Sequence, residues 1–353
     1  MQATTQTVKT DIRKLDLEQL TTYFKEIGQP KFRAKQVYEW LWKKGAHTFE
    51  AMTNLPKALR ERLRAEFEIR AIVADTVQHS DDGTIKTRFR LHDGHLIESV
   101  LIPVPGENRY TACVSSQVGC SLTCSFCATG RMKRVRNLDA AEIYDQVLLV
   151  NRQAEEKYDH PLTNIVYMGM GEPLLAYSSV MESVVHITGE QGLHMSPRRL
   201  TVSTAGIAKM IRKLADDEVR FRLALSLHAA DDEKRNEIMP INESNNLEVL
   251  TDALQYFYQK TGNPITFEYI AFQRFNDTRQ DADNLIKLCR RVPAKVNIIE
   301  YNPIDGAPFN KTDAQRLDKF MGYLKRHGVN VTLRRSRGKD IDAACGQLAN
   351  KGD

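Results

Sequence analysis

The chain has 353 residues, 42% of them hydrophobic, enough to bury one large core with a smaller module beside it; this excludes a disordered chain. Lys and Arg number 50 against 45 Asp and Glu, so a net charge of +5 is too small to argue a nucleic-acid partner except from local charge. Six cysteines in so long a chain exclude a small disulfide-stapled scaffold, and no apolar run approaches the ~18 residues of a membrane span. The opening stretch Met1–Lys9 has no leader-like apolar run, so a cytoplasmic protein is expected.

Residues 10–68 carry apolar side chains at helical spacing (Leu17, Leu20, Phe24, then Val37, Trp40, Leu41), and Gly28-Gln29-Pro30 predicts a break between two helices. This stretch is basic: residues 1–70 contain 14 Lys or Arg against 9 Asp or Glu, with Lys31, Arg33, Lys35, Lys43 and Lys44 in the middle. It reads either as an RNA grip or as a cap on the following domain. At 69–104 the period changes to two. Thr87–Leu91, His92-Asp93-Gly94 and His95–Ile102 predict a β-hairpin with an Asp-Gly turn.

From about 110 to 337, β-rich runs alternate with helical ones. Strands are predicted at Tyr110–Ser115, Asn164–Met170, Arg199–Ser203, Arg222–Ser226, Ile265–Ala271, Val296–Tyr301 and Val329–Arg334. Helices are predicted at Asp139–Tyr158, Val180–Glu190, Ile207–Ala215, Leu247–Lys260, Arg279–Arg291 and Ala314–His327. Such alternation implies an α/β fold with a parallel sheet and right-handed crossovers, a full or partial barrel with its chemistry at the C-terminal strand ends.

The chemistry concentrates in Cys113-Val-Ser-Ser-Gln-Val-Gly-Cys120-Ser-Leu-Thr-Cys124-Ser-Phe-Cys127. Cys120, Cys124 and Cys127 have the spacing C-x3-C-x2-C, which gives three thiolates and no fourth ligand. Structural zinc closes at four ligands, whereas an iron–sulfur cube held by three cysteines leaves one iron free to bind a ligand. Past Asn164–Met168 comes Gly169-Met-Gly-Glu172-Pro173, a turn that lets a ligand approach the backbone, with a carboxylate for an ammonium. Two basic runs flank this chemistry: Arg131, Lys133, Arg134 and Arg136, then Arg334, Arg335, Arg337 and Lys339. Both are candidates for phosphate contact or for solvated faces. Cys289 sits at helical spacing from Leu285 and reads as core.

The C-x3-C-x2-C loop with Phe126 resembles the signature of the radical S-adenosylmethionine superfamily. Together with Cys113–Cys120, Gly169–Pro173, Ser226-Leu227-His228 and Ala344-Cys345-Gly346, it resembles more closely the RNA adenine carbon-2 methyltransferases over nearly the whole chain. The resemblance implies a partial (β/α)6 radical-SAM barrel at 109–337, a helical RNA-binding domain at 1–68, a linking β-hairpin at 69–108 and a C-terminal segment at 338–353. It also implies a [4Fe-4S] cluster on Cys120, Cys124 and Cys127, and S-adenosylmethionine contacts from Gly171, Glu172, Ser203, Ser226, Leu227, His228 and Asn302. Two S-adenosylmethionine molecules are implied per turnover, with 23S rRNA and tRNA as substrates, a flavodoxin-like electron donor and a monomeric state.

Adenine carbon 2 is electron-poor and does not attack a methyl sulfonium, so a radical carbon has to attack it. In the mechanism the resemblance implies, Cys345 first takes a methyl group from one S-adenosylmethionine. A 5′-deoxyadenosyl radical made from the second removes hydrogen from that methyl, and the methylene radical adds to adenine. Glu98, the lone acid in Leu96–Ile102, matches the family's proton acceptor. After carbon-2 deprotonation and loss of one electron from the adduct, Cys113 attacks the Cys345 sulfur, releasing the methylated base as a disulfide forms, and external thiol resets the pair. Val118 and the N-terminal domain favour carbon 2 over the sibling carbon-8 enzymes. A radical-SAM maturase or activase would not need Cys113 and Cys345, and a non-enzymatic RNA-binding module would not need an open metal position.

Overall fold

The computed structural model describes residues 9–351, so the residues before Lys9 in the stretch read above as leaderless, and the last two of the C-terminal segment, lie outside the described residues. Its centre is a ten-stranded sheet whose spatial order follows the chain: β1 (Val73–His79), β2 (Ile85–Arg90), β3 (Leu96–Val104), β4 (Arg109–Cys113), β5 (Asn164–Tyr167), β6 (Leu200–Thr204), β7 (Arg222–Ser226), β8 (Ile265–Ala271), β9 (Ala294–Glu300) and β10 (Val331–Arg334). β1 to β4 pair antiparallel, and β4 to β10 pair parallel. Six crossovers join the seven parallel strands, the count of the expected partial barrel.

Helices α4 (Ala140–Tyr158), α5 (Tyr177–Thr188), α6 (Ala208–Asp216), α7 (Asp232–Ile238), α8 (Leu247–Thr261), α9 (Arg279–Arg291) and α10 (Ala314–Arg326) lie in these crossovers. The strands are buried on both faces, as a covered parallel sheet requires: Leu223, Phe267, Tyr269, Val296 and Ile298 on one face, and Ala224, Ile270 and Ile299 on the other, have little or no exposure. α7 was not read from sequence because Asp232–Ile238 is short and has almost no apolar stripe.

The hairpin pairs as its Asp93-Gly94 turn predicts, with Ile85 opposite Leu101 and Arg90 opposite Leu96. It does more than link two parts of the chain. β3 adds to β4, and a further strand, β1, adds to β2, so this region widens the main sheet.

The N-terminal module consists of α1 (Leu17–Glu26), α2 (Lys31–Trp42) and α3 (Lys57–Glu66). Asp16 and Gln19 form a capping box at the start of α1, and the chain turns through Gly28 with a left-handed φ of +70° before Pro30 starts α2. The module is tied firmly to the barrel. Arg13 grips Asp145 of α4 through a buried pair of hydrogen bonds of 2.8 and 2.9 Å, and Trp42 stacks on His186 of α5 at 3.5 Å. Lys31, Lys35, Lys43 and Lys44 stay exposed, and Phe32 beside them is 53% exposed.

Candidate active site

β4, β5, β6 and β7 end on one side of the sheet, and the loops after them enclose a cavity with about 870 Å³ of empty space including its mouth. Cys120, Cys124 and Cys127 line it together with Gly171, Glu172, Ser203, Ser226 and His228. The three thiols line one cavity and interact electrostatically, although among the described residues no three His, Cys, Asp or Glu are gathered to hold a single ion. Burial pushes Cys120 up to about 11 and raises Cys124 and Cys127 as well, helped at Cys124 by the neighbouring sulfurs. Bare thiolates are therefore disfavoured there, and the positive charge of bound iron would offset that cost, so the donor set fits an iron–sulfur cluster.

The glycine turn is built for close approach. Gly171 has a φ of +95°, and a Cβ there would lie 2.5 Å from the Gln117 side chain and 2.9 Å from its backbone nitrogen. Glu172 is 3% exposed and accepts hydrogen bonds from the amides of Leu174 at 3.0 Å and Ala205 at 2.8 Å. Burial pushes its carboxyl up to about 6. A carboxylate oriented by two amides on a cavity wall keeps free lone pairs for a ligand ammonium. The Ser203 and Ser226 hydroxyls lie 3.4 Å apart. His228, at a φ of +55°, accepts from the Ile270 amide through Nδ1, and burial lowers it to about 3, so it presents a neutral ring with its other nitrogen as donor.

Leu227 and Asn302, expected among the cofactor contacts, do not line this cavity. Leu227 is fully buried, with its amide bonded to Glu268 O. Asn302 donates to the Ser336 hydroxyl at 2.9 Å and to the carbonyl of Cys345 at 3.3 Å, so it holds the C-terminal segment.

A second cavity, of about 690 Å³, adjoins the first and is lined by both Cys113 and Cys345. Cys345, Gly346, Cys127, Met168 and Arg334 belong to both cavities, so Cys345 stands on their common wall. Burial pushes the Cys113 thiol up to about 12. Glu98 borders neither cavity. It is 2% exposed, facing Lys86 at 3.6 Å and the amides of Ala349 and Asn350.

The basic runs are largely occupied within the protein. Arg136 pairs with Asp93 at 2.6 Å and Glu142 at 2.7 Å, Lys339 with Glu300 at 2.9 Å, and Arg131 reaches the carbonyl of Asp305. Arg334 turns inward to Glu268 at 3.3 Å and the sulfur of Met168 at 3.5 Å. Its electrostatic interactions with Cys345 and Glu268 raise the guanidinium above the ordinary arginine value. Lys133 and Arg335 have no side-chain partner among the described residues.

Two supporting residues escape sequence reading. Glu268, between Asn297 and Arg334, is the lone acid in an apolar strand, a signal that could have found it. Arg235 is completely buried beneath the site and donates to the carbonyls of Ala205 at 2.5 Å, Leu227 at 3.1 Å and Ser226 at 3.3 Å, and to Asn242. Nothing in the polar run Asp232–Ile238 marks it.

Residues 10–69 match the family model described as ribosomal RNA large subunit methyltransferase N-terminal domain, and residues 114–288 match the radical SAM superfamily. The chain is 56% identical over 352 residues to the probable dual-specificity RNA methyltransferase RlmN of Cytophaga hutchinsonii, covering 99% of this chain and 96% of the relative. It is 44% identical over 348 residues to the dual-specificity RNA methyltransferase RlmN 2 of Myxococcus xanthus, covering 97% and 91%. Among solved structures, a radical SAM methyltransferase from Sphaerobacter thermophilus superposes with a TM-score of 0.91 at 40% identity, covering 97% of this chain and all of that one. The chain thus carries a radical SAM domain behind its N-terminal module and belongs to the RlmN family of dual-specificity RNA methyltransferases.

Proposed function

We propose that this protein methylates carbon 2 of adenosine in the peptidyl-transferase region of 23S rRNA, and of the adenosine 3′ of the anticodon in tRNA. The observation that carries this reading is the placement of Cys345 on the wall between the cluster-side cavity and the Cys113 cavity. A radical SAM enzyme acting on a protein or a small molecule has no use for two thiols there.

Cys120, Cys124 and Cys127 would hold the [4Fe-4S] cluster. With S-adenosylmethionine bound, that group would supply one-electron cleavage of a sulfonium, the chemistry needed to activate an unreactive methyl. Glu172 takes the ligand ammonium, Gly171 admits the ligand to the backbone, and Ser203, Ser226 and His228 complete the polar wall. Leu227 and Asn302 support that wall from behind.

Cys345 carries the methyl group, and the shared wall lets it face S-adenosylmethionine on one side and substrate on the other. Cys113 resolves the protein–RNA link by attacking the Cys345 sulfur. The carbon leaves with the base and the two sulfurs join as a disulfide, which external thiol reduces. The exposed lysines of α2 with Phe32 suit a folded RNA, cations for phosphate and a ring for stacking. A flavodoxin-like donor, a monomeric state and a cytoplasmic setting complete the reading.

The test is anaerobic reconstitution with iron and sulfide, then S-adenosylmethionine, reductant and an adenosine-containing rRNA fragment, with mass spectrometry of RNA and protein. Carbon-2 methyladenosine with a one-carbon adduct on Cys345 is expected. Cofactor cleavage with unmodified RNA would move the protein to the maturases, and methylation at carbon 8 would move it to the sibling enzymes.

A further inference from the structure

The segment that carries Cys345 is tied at both ends to the antiparallel part of the sheet, far away in sequence. At its start, the amide of Gly338 donates to Asp82 at 2.9 Å, and Ser80 donates to Asp340 at 2.6 Å. At its end, one oxygen of Glu98 accepts from the amides of both Ala349 and Asn350, at 2.9 and 3.1 Å. The other Glu98 oxygen faces Lys86, itself 6% exposed, at 3.6 Å. Glu98 and Lys86 are thus a nearly water-free pair on neighbouring strands, and the pair spends its charge on two backbone amides four and five residues beyond Cys345.

We propose that Glu98 is a positioning residue for Cys345, a latch that fixes the C-terminal segment so that the thiol stands on the wall between the two cavities and within range of Cys113. This rests on the role given above to Cys345. Hydrogen bonds to a charged acceptor are roughly twice as strong as neutral ones, and these two are shielded from water, so they add a charge-assisted tie to the neutral bonds that Asn302 and Thr129 make to the carbonyls of Cys345 and Leu348. They also engage the carboxylate, which lines neither cavity. For Glu98 to take a proton from substrate, the segment would first have to detach.

The test uses the full-length protein. Hydrogen exchange of residues 343–351, the rate of Cys345 alkylation by iodoacetamide, and the yield of the Cys113–Cys345 disulfide under mild oxidation are read before any cofactor is added. Glu98→Ala, which removes both charge-assisted bonds, is expected to speed exchange and alkylation by at least about tenfold and to lower the disulfide yield. Exchange in β4 to β10 and cluster absorbance after reconstitution should stay as in the wild type. Glu98→Gln keeps an acceptor oxygen without the charge and should fall between, at about threefold. In the reconstituted enzyme, 5′-deoxyadenosine formed per methylated RNA should rise in the same order, a ratio that general destabilisation would not move.

Wild-type exchange and alkylation in Glu98→Ala would overturn the proposal, above all if methylation were lost, because Glu98 would then act by chemistry alone. Should Glu98→Ala fail to fold, Glu98→Gln carries the test, and wild-type values there overturn the proposal equally. If the wild-type enzyme left RNA unmodified, the functional reading would fall while the exchange and alkylation results still reported on the latch.

Discussion

Replacing Arg235 by Met tests whether the floor of the site depends on a single buried guanidinium. The side chain has no exposure and donates to three backbone carbonyls and to Asn242. Burial lowers its pKa to about 10, so it stays charged at neutral pH despite the cost. Met fills much of the volume and removes that cost, but it leaves the acceptors of Ala205, Ser226 and Leu227 without their donor. Removing one partner of a buried charged network costs about 3–5 kcal/mol. At roughly 2.1 cal/mol/K of unfolding entropy per residue, that lowers the melting temperature of a 353-residue chain by about 4–7 °C. Differential scanning calorimetry of the two proteins measures it, and Arg235→Lys, which keeps charge but not the fork, should lose about half as much. Because two of those carbonyls belong to Ser226 and Leu227, S-adenosylmethionine affinity should fall as well. A melting temperature within about 1 °C of the wild type, with unchanged affinity, would refute the claim that Arg235 holds these strand ends.

Cys120→Ala should reconstitute without the visible absorbance of an iron–sulfur cluster and without cofactor cleavage; full absorbance in the variant would remove Cys120 from the ligand set. Cys113→Ala should form the bond to RNA without releasing it and accumulate protein carrying RNA on a denaturing gel, whereas normal multiple turnover would exclude a resolving role. Gly171→Ala forces a side chain into a left-handed backbone and into Gln117, a combined cost of about 2–4 kcal/mol seen as weaker cofactor binding by calorimetry. The raised carboxyl of Glu172 sets a pH dependence. A folded-state value near 6, above the ordinary 4.5, means that ionising this group costs stability as pH rises through that interval. Cofactor binding, which needs the carboxylate, should weaken about tenfold per unit as pH falls below about 6, and Glu172→Gln should flatten that profile.

The parallel strands and their crossover helices were legible because period two and period 3.6 alternate cleanly from 110 to 334, and Arg279–Arg291 was placed to the residue. The cysteine loop was legible because spacing alone carries its chemistry. What the sequence did not convey were tertiary substitutions of one role for another. Arg334 and Arg136 read as surface charge, yet both turn inward to carboxylates from distant elements. Asn302 ends a strand as a cofactor contact would, yet its amide reaches the carbonyl of Cys345, 43 positions on. Glu98 stands out only as the lone acid of an apolar run, and nothing there foretells that residues 349 and 350 cover it. Each depends on a partner far along the chain, which no local pattern encodes.

The sheet order, in which every strand lies beside its sequence neighbour, also dictates how the protein is made. Strands can be laid down one after another as the chain leaves the ribosome, each on an edge already formed, so few distant ends have to find each other. The exception is the final segment, whose Gly338 amide closes on Asp82 across 256 positions. A chain arrested after β10 would hold Cys120, Cys124, Cys127 and Glu172 but not Cys345. On the roles proposed above, assembly order makes the methyl-bearing thiol a late arrival, and an unfinished chain would bind the cofactor without being able to modify RNA.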